Sequence, residues 1–441
     1  AWGATLCPDA ASAALGLAAV YWYRRWLREP SWPRAVIAGV SLGLLSLAKL
    51  TWVIAFGIWP MLWWFWSAPF WPMRAPREST VRPPLRQLAA ILIVGLYTIN
   101  LGYAFDGSLR PLGEFRFLSE LLRGRDHAGG GAVAAKGNRF AETWCASLPV
   151  PLPAEFVQGI DTQRYDFERG ARSYMAGRWR DRGWWYYYCY VSLVKMPLGT
   201  WSLLLLAAFL TLTDSRFNAA RRDELILLFP LLTLFVFISS QSGLSEHPRY
   251  VIVALPFLFA WLSKTGRAFR LRRRAVSAVA AVSLVFAASS SLWIFPHSLS
   301  YFNELAGGPQ HGAMHLLGSS LDWGQDLFAL EEWALAHPER RPIYLAYAGS
   351  YPLEATGLGT EVRPPMVTPA NAGADSGPGT TLVFEPGWYA LSINLLYGEP
   401  GQYAEFRELD PDATAGYSIR SFQVGPSVLP AAAPHSESPR N

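Results

Sequence analysis

The sequence predicts a mainly α-helical protein: a polytopic transmembrane helical bundle with a large extracytoplasmic loop and a small C-terminal α/β extracytoplasmic domain. Three observations lead there. Of 441 residues, 51% are hydrophobic and only 16% are charged, less charge than a soluble chain of this length carries. Several apolar runs approach the roughly 20 residues a helix needs to cross a bilayer. Between those runs sit short loops rich in Arg and Lys, the pattern of a cytoplasmic membrane face. The net charge of +5, distributed in this way, points to a membrane surface and not to nucleic acid.

The elements follow in order. Ala10–Tyr23 is apolar and stops at Arg24, Arg25 and Arg28. Val36–Trp66 is nearly unbroken except for Lys49, too long for one crossing and enough for two short ones. A Pro-rich loop with Arg74, Arg77, Arg82 and Arg86 precedes the span Leu88–Phe105. A polar segment, residues 106–183, carries the Gly-rich patch Gly129–Gly131. Trp184–Leu212 crosses with a kink or break near Pro197. Leu225–Ser239, Tyr250–Ser263 and Ala275–Phe295 are the remaining spans, separated by QSGLSEHPR and the basic stretch Lys264–Arg274.

A parity argument fixes the turn at Lys49. If Val36–Trp66 crosses twice, every short basic loop falls on one side, as the positive-inside rule requires. The other face then holds Asp9, Lys49, the loop 106–183, Glu246–Arg249 and everything after Pro296. The stretch GRWRDRGWWYYYCYVSLVKMPLGTW, Gly177–Trp201, reads as the entry from that face into lipid: charges, then an aromatic belt, then hydrocarbon-like sequence.

Residues 1–295 therefore form the transmembrane domain and residues 296–424 the α/β domain. In the latter PIYLAYA and TLVFEPGWYALSI read as strands, and Trp323–Ala336 and Gln402–Leu409 as helices. The tail 425–441, rich in Pro, Ala and Ser, reads as disordered. No internal repeat is visible. Cys7, Cys145 and Cys189 are an odd, widely spaced set with no disulfide framework, so free thiols are expected ahead of the alternative, a Cys7–Cys145 bridge with both residues outside. The first residue is Ala and no signal peptide precedes the first apolar run, so the chain is expected to be a fragment that has lost N-terminal sequence.

Candidate functional residues each have two readings. Asp9, after Pro8, suits a helix start; it also suits a general base that takes a proton from an acceptor hydroxyl. Lys49 and Lys195 are either snorkelling cations or cations for a lipid phosphate, since ionisable groups inside a membrane are site candidates. His247 and Arg249 either anchor a span or face the headgroups, where a guanidinium can hold phosphate by paired hydrogen bonds. His311 and His315 have helical metal spacing but no visible third ligand, so they read as surface residues. Asp161, Asp166 and Glu168 read as solvated loop acids. No phosphate loop or dinucleotide glycine pattern appears, and no cofactor is expected.

Five stretches, CPDAASAALGLAAVYWYRRW, GVSLGLLSLAKLTWV, GRWRDRGWWYYYCYVSLVKMPLG, EHPRYVIVALPFLF and SYFNELAGGP with SSLDWGQDL, occur in this order over most of Pro8–Leu327. In them the chain resembles the integral-membrane glycosyltransferases of the C-type fold, in the protein O-mannosyltransferase-like family 39, related to the aminoarabinose transferase of lipid A. The resemblance implies a polyprenyl-phosphate-linked sugar as donor, an acceptor protein, lipid or glycan, inversion at the anomeric carbon, and transfer on the outer face of a bacterial cytoplasmic membrane. It places Asp9 where such proteins carry an acid at the outer end of a span. It places Lys49 in the AKLT turn, Arg249 in a segment close to their His-Arg-Tyr pattern, and Asp322 in the DWGQDL segment, with no role implied for it. It also implies that the family's first span and first outer loop, with the acidic pair credited with catalysis, are absent here. Asp9 would then be a second acid. A transporter or lipid flippase is the competing reading, and a non-catalytic scaffold presenting the C-terminal domain is a third.

Overall fold

The computed structural model describes residues 8–68, 82–124, 137–218, 221–245, 247–360, 362–363, 367–369, 382–398 and 403–425. Cys7, Arg74, Arg77, the Gly129–Gly131 patch, Glu246 and the tail beyond Gly425 lie outside these residues.

Helices α1 (Asp9–Arg28) and α2 (Trp32–Ala48) are joined by three residues, a link short enough to force an antiparallel pair. Lys49 is extended (φ −160°, ψ 126°) and ends α2; a 3₁₀ turn, Leu50–Ile54, leads into α3 (Ala55–Ser67). The long apolar run therefore breaks at Lys49. α3 returns along α1, and the Tyr23 hydroxyl donates to the Trp59 carbonyl. α4 (Leu85–Gly102) then lies parallel to α2, because Gly39, Gly43 and Leu47 meet Val94, Thr98 and Gly102 in the same order. A Cβ on Gly43 would stand 2.4 Å from that of Thr98, so the small residues are what let the two backbones approach.

The polar segment folds back over this end of the bundle as the short helix α5 (Glu120–Arg123), α6 (Ala154–Arg169) and the hairpin β1 (Ser173–Met175)–β2 (Arg178–Arg180). Two acids expected as solvated loop residues are instead structural parts of it. Asp161 on α6 is 1% exposed and accepts from the Leu118 and Ser119 amides and the Ser119 hydroxyl. Glu168 accepts from the Glu120 and Leu121 amides and from Arg164.

The run Trp184–Leu212 is not one straight crossing. It forms α7 (Tyr187–Lys195) and α8 (Leu198–Thr213), bent by 111° at Met196–Pro197. α9 (Arg221–Ser240) follows; a 3₁₀ turn, Pro248–Ala254, opens α10 (Leu255–Leu262), which continues through a second such turn into α11 (Arg267–Arg270), and then comes α12 (Arg274–Trp293). Among the described residues, five helical stretches are long and apolar enough to cross a membrane: Leu50–Ser67, Leu85–Gly102, Arg222–Ser240, Pro248–Arg270 and Arg274–Trp293. Only 17% of the last and 22% of Arg222–Ser240 are buried in the protein. Apolar faces of that extent are untenable in water and ordinary against lipid.

The short basic loops meet at one end of the bundle. Arg24 and Arg28 pair with Asp223, Lys264 pairs with Glu224, and Arg216 and Arg273 share Asp214. Trp26 on α1 bonds Gln87 at the start of α4. The opposite end carries the α5–β2 segment and the C-terminal region.

That region is a layered α/β unit. After α13 (Gly312–His315) and α14 (Leu327–Ala336) come β3 (Ile343–Ala346), β4 (Val362–Arg363), the ladder β5 (Val367–Pro369)–β6 (Leu382–Phe384), β7 (Gly387–Ser392), α15 (Ile393–Leu396), β8 (Ala413–Ala415) and β9 (Ile419–Val424). The five-stranded sheet has the order β4-β3-β7-β9-β8, with β3 parallel to both neighbours and β9 antiparallel to β7 and β8. One face packs Tyr344, Tyr389 and Phe422 against Phe406, and the other packs Ile343, Leu345 and Ala390 against Leu327 and Leu330 of α14. Covering both faces explains the unbroken apolar run in PIYLAYA. The expected helix at Trp323 starts only at Leu327, because Asp322–Gln325 forms a turn, and the expected helix Gln402–Leu409 is a 3₁₀ turn at Ala404–Glu408.

Candidate functional site

The antiparallel hairpin brings the start of α1 to the end of α2, and two candidate residues meet there. Lys49 Nζ lies 2.5 Å from Asp9 Oδ1, with the Asp9 carboxylate 2% exposed and the Lys49 side chain 14% exposed. Trp52 fixes the geometry. Its indole donates to Ser12 Oγ (2.8 Å) and its ring fills the space over Gly16, where a Cβ would come within 2.5 Å. This holds the extended link at Lys49 against α1. A pair this buried is held by its mutual attraction, because loss of either partner would strand the other charge.

Arg249 and Tyr250 enter from the turn that opens the Pro248–Arg270 stretch. Lys49 Nζ lies 5.4 Å from the centre of the Tyr250 ring, and the Arg249 guanidinium 5.7 Å from the same ring. The other neighbour of Arg249 is Trp323, 5.1 Å to the ring centre. Among the described residues no hydrogen bond or ion pair takes up the Arg249 donors. His247 is held by Ser319, with Nδ1 2.5 Å from Oγ, and its ring meets Tyr250 edge-on. Burial, aided by the Arg249 charge and opposed by Asp9, lowers its pKa to about 4, so it is neutral near pH 7. Among the described residues, one carboxylate against two cations gives this group a net positive charge. It is a place where an anion gains and a cation loses.

The other expected site residues have different polar partners. The Lys195 ammonium, at the α7–α8 bend, donates to the Leu299 carbonyl (2.8 Å) and sits 4.1 Å over the Phe302 ring. Asp322 neighbours Trp323 in sequence, but its carboxylate is committed within the C-terminal unit, accepting from the Gly324 amide (2.6 Å) and Ser392 Oγ (3.3 Å). Burial, with Asp326 nearby, raises its pKa to about 6 against those hydrogen bonds. Asp326 receives the Tyr417 and Ser418 amides and lies 2.9 Å from His297 Nδ1. These two acids tie the sheet to the segment that leaves α12.

His315 is not the surface residue expected. Its Nδ1 lies 2.6 Å from the Tyr190 hydroxyl and its Nε2 3.0 Å from the Ala306 carbonyl. The carbonyl requires the proton on Nε2, so Nδ1 accepts from Tyr190. His311 is exposed beside the Gly307 carbonyl. Among the described residues no group of three or more His, Cys, Asp or Glu side chains is placed to hold a metal.

Tyr250 and Trp323 were not singled out as site residues in the sequence. The signal was present as an aromatic directly after Arg249 in HPRY and another directly after Asp322 in DWGQ. The protein is thus a helical bundle with membrane-length apolar helices and a cation–aromatic cluster at the end opposite its basic loops. Comparison of the chain with protein-family models, with curated protein sequences and with solved structures finds no match.

Proposed function

We propose that this protein is an integral-membrane glycosyltransferase. It moves a sugar from a polyprenyl-phosphate donor to an acceptor hydroxyl on a protein, lipid or glycan, at the extracytoplasmic face of a cytoplasmic membrane. The observation that carries the reading is Arg249: a guanidinium 5.7 and 5.1 Å from the centres of two aromatic rings, its donors untaken by any described residue, near the Asp9–Lys49 pair. A phosphodiester is a compact anion that fits such a fork. The basic loops at the far end support the orientation, since positive loops stay in the cytoplasm.

In this reading Arg249 and Lys49 hold the donor phosphate. As Lys49 turns to the phosphate, Asp9 is released from its pair. The acceptor oxygen bonds to the anomeric carbon, the bond from that carbon to the phosphate oxygen breaks, and the acceptor proton passes to Asp9. The leaving polyprenyl phosphate keeps the bond's electron pair, and its added charge is stabilised by the two cations. The 111° break between α7 and α8 is a feature shared with transporters, whose broken helices meet at the bilayer midplane. The ionisable group here gathers at helix ends, which favours transfer chemistry at the surface over passage through the middle.

The test is mass spectrometry of lipid retained by the detergent-purified protein, with titration of added polyprenyl phosphate. Retained polyprenyl phosphate is expected. Arg249→Ala should lose about 1.5–3 kcal/mol of binding, roughly 10- to 150-fold in Kd, with a comparable loss in Lys49→Ala. Unchanged affinity in both folded variants would overturn the proposal.

A further inference from the structure

The geometry points to Trp323 as a positioning residue for Arg249, so that the C-terminal α/β unit completes the site at the end of the membrane bundle. This rests on the reading of Arg249 as the phosphate-binding cation.

Trp323 belongs to the region after α12, yet its ring covers Arg249 in the turn that opens the Pro248–Arg270 stretch. The turn that carries it is fixed on every side. The Trp323 amide donates to Gln325 Oε1 (2.9 Å), and its carbonyl accepts from the Ser350 amide (3.2 Å). The Gly324 amide is held by Asp322, and Gln325 reaches back to the Leu321 carbonyl. Gly324 sits at φ +97°, and a Cβ there would lie 2.0 Å from the Tyr347 hydroxyl. The position needs glycine twice over, for its backbone and for its space. The ring is therefore carried by a locked turn whose ties run into the sheet: Asp322 to Ser392 at the end of β7, and Asp326 to the β8–β9 turn.

A second contact comes from the same segment. Ser319 holds His247, two residues before Arg249. The Ser319–Trp323 segment thus grips both the turn and its guanidinium. The manner of the grip matters. A ring face attracts a guanidinium without using its N–H groups, so Arg249 is oriented while its donors stay available for oxygen. A carboxylate in the same place would have consumed them. Ordering the long Arg side chain before the ligand arrives removes that entropic cost from binding. The seating of the C-terminal unit therefore controls how well the membrane end holds a phosphate.

The experiment uses the whole chain in detergent and farnesyl phosphate as the probe, with Kd measured for wild type, Trp323→Ala, Trp323→Phe, Arg249→Ala and the double variant Trp323→Ala/Arg249→Ala. Thermal unfolding checks that each variant is folded. Trp323→Ala is expected to weaken binding about 2- to 30-fold, and Trp323→Phe to restore most of it. In the Arg249→Ala background the Trp323→Ala change is expected to cost nothing further, which a merely structural role would not produce. A loss of equal size in both backgrounds, or no loss in Trp323→Ala while Arg249→Ala binds weakly, overturns the inference. Unchanged binding in Arg249→Ala overturns the lipid-phosphate reading itself, and the inference with it.

Discussion

Asp322 offers a test in which the sign is as informative as the size. Its carboxyl is 2% exposed and titrates near 6 when folded, above its ordinary 3.8, because burial outweighs the hydrogen bonds from Gly324 and Ser392. A carboxyl raised in this way stabilises the fold fully below the unfolded value and loses that contribution as pH rises through the folded one. Asp322→Asn removes the titration while keeping an acceptor for Gly324 and a donor that Ser392 can meet. Relative to wild type, the variant should gain stability as pH rises from about 4 to about 6.5, and hold the gain above that. The gap in pKa corresponds to on the order of 3 kcal/mol at full burial. The assay is unfolding of the detergent-solubilised protein followed by Trp fluorescence, with the two proteins compared at each pH so that every other titrating group cancels. His247, lowered to about 4, works in the opposite direction: its contribution is complete above about 6.5 and is lost as pH falls toward 4. In wild type the two slopes oppose each other between pH 4 and 6, and the variant exposes that of His247. A stability difference flat across this range would refute the reasoning, and a large loss of lipid-phosphate affinity in Asp322→Asn would return Asp322 to the binding site.

At the other end of the bundle, Glu224→Gln should destabilise by about 3–5 kcal/mol, because it leaves the Lys264 ammonium buried without its carboxylate; replacing both residues with Met should recover much of that, as read by thermal unfolding in detergent. Gly199→Ala should be more damaging than its single methyl suggests. The new Cβ would lie 2.1 Å from the Ser283 carbonyl of α12, a backbone atom that cannot rotate away, so a cost of about 1–3 kcal/mol is the expected floor; a wild-type melting profile would contradict the close packing of α8 on α12.

Much of the bundle was legible because its punctuation is chemical. A lone Lys in an apolar run and a Pro after Lys195 both marked real breaks, and the charge parity of the loops required the first of them. Helix α6 was missed because DTQRYDFER reads as polar loop: its helical face is built around Asp161 capping a distant segment, which no periodicity of apolar residues reports. The meeting of Asp9 with Lys49 follows from a three-residue link between α1 and α2, so it was available to a reader of loop lengths. The meeting of Arg249 with Trp323 was not, since it depends on how a separate unit seats on the bundle. Asp322 was picked out only by the resemblance in the DWGQDL segment, which says nothing about burial, whereas its buried carboxylate forms a tie within the sheet domain.

The bend between α7 and α8 leaves backbone carbonyls that neither helix can satisfy, and Asn303 satisfies them. Its side-chain amide reaches the Leu193 and Met196 carbonyls at 2.6 and 2.9 Å, and its own N–H reaches that of Val194. Unmet groups of this kind are costly near hydrocarbon. Asn303 lies 110 residues downstream of Leu193, so a ribosome must translate that far before the elbow can close. Until then the nascent chain lacks this tie on the last turn of α7, and the elbow is completed only by sequence from beyond α12.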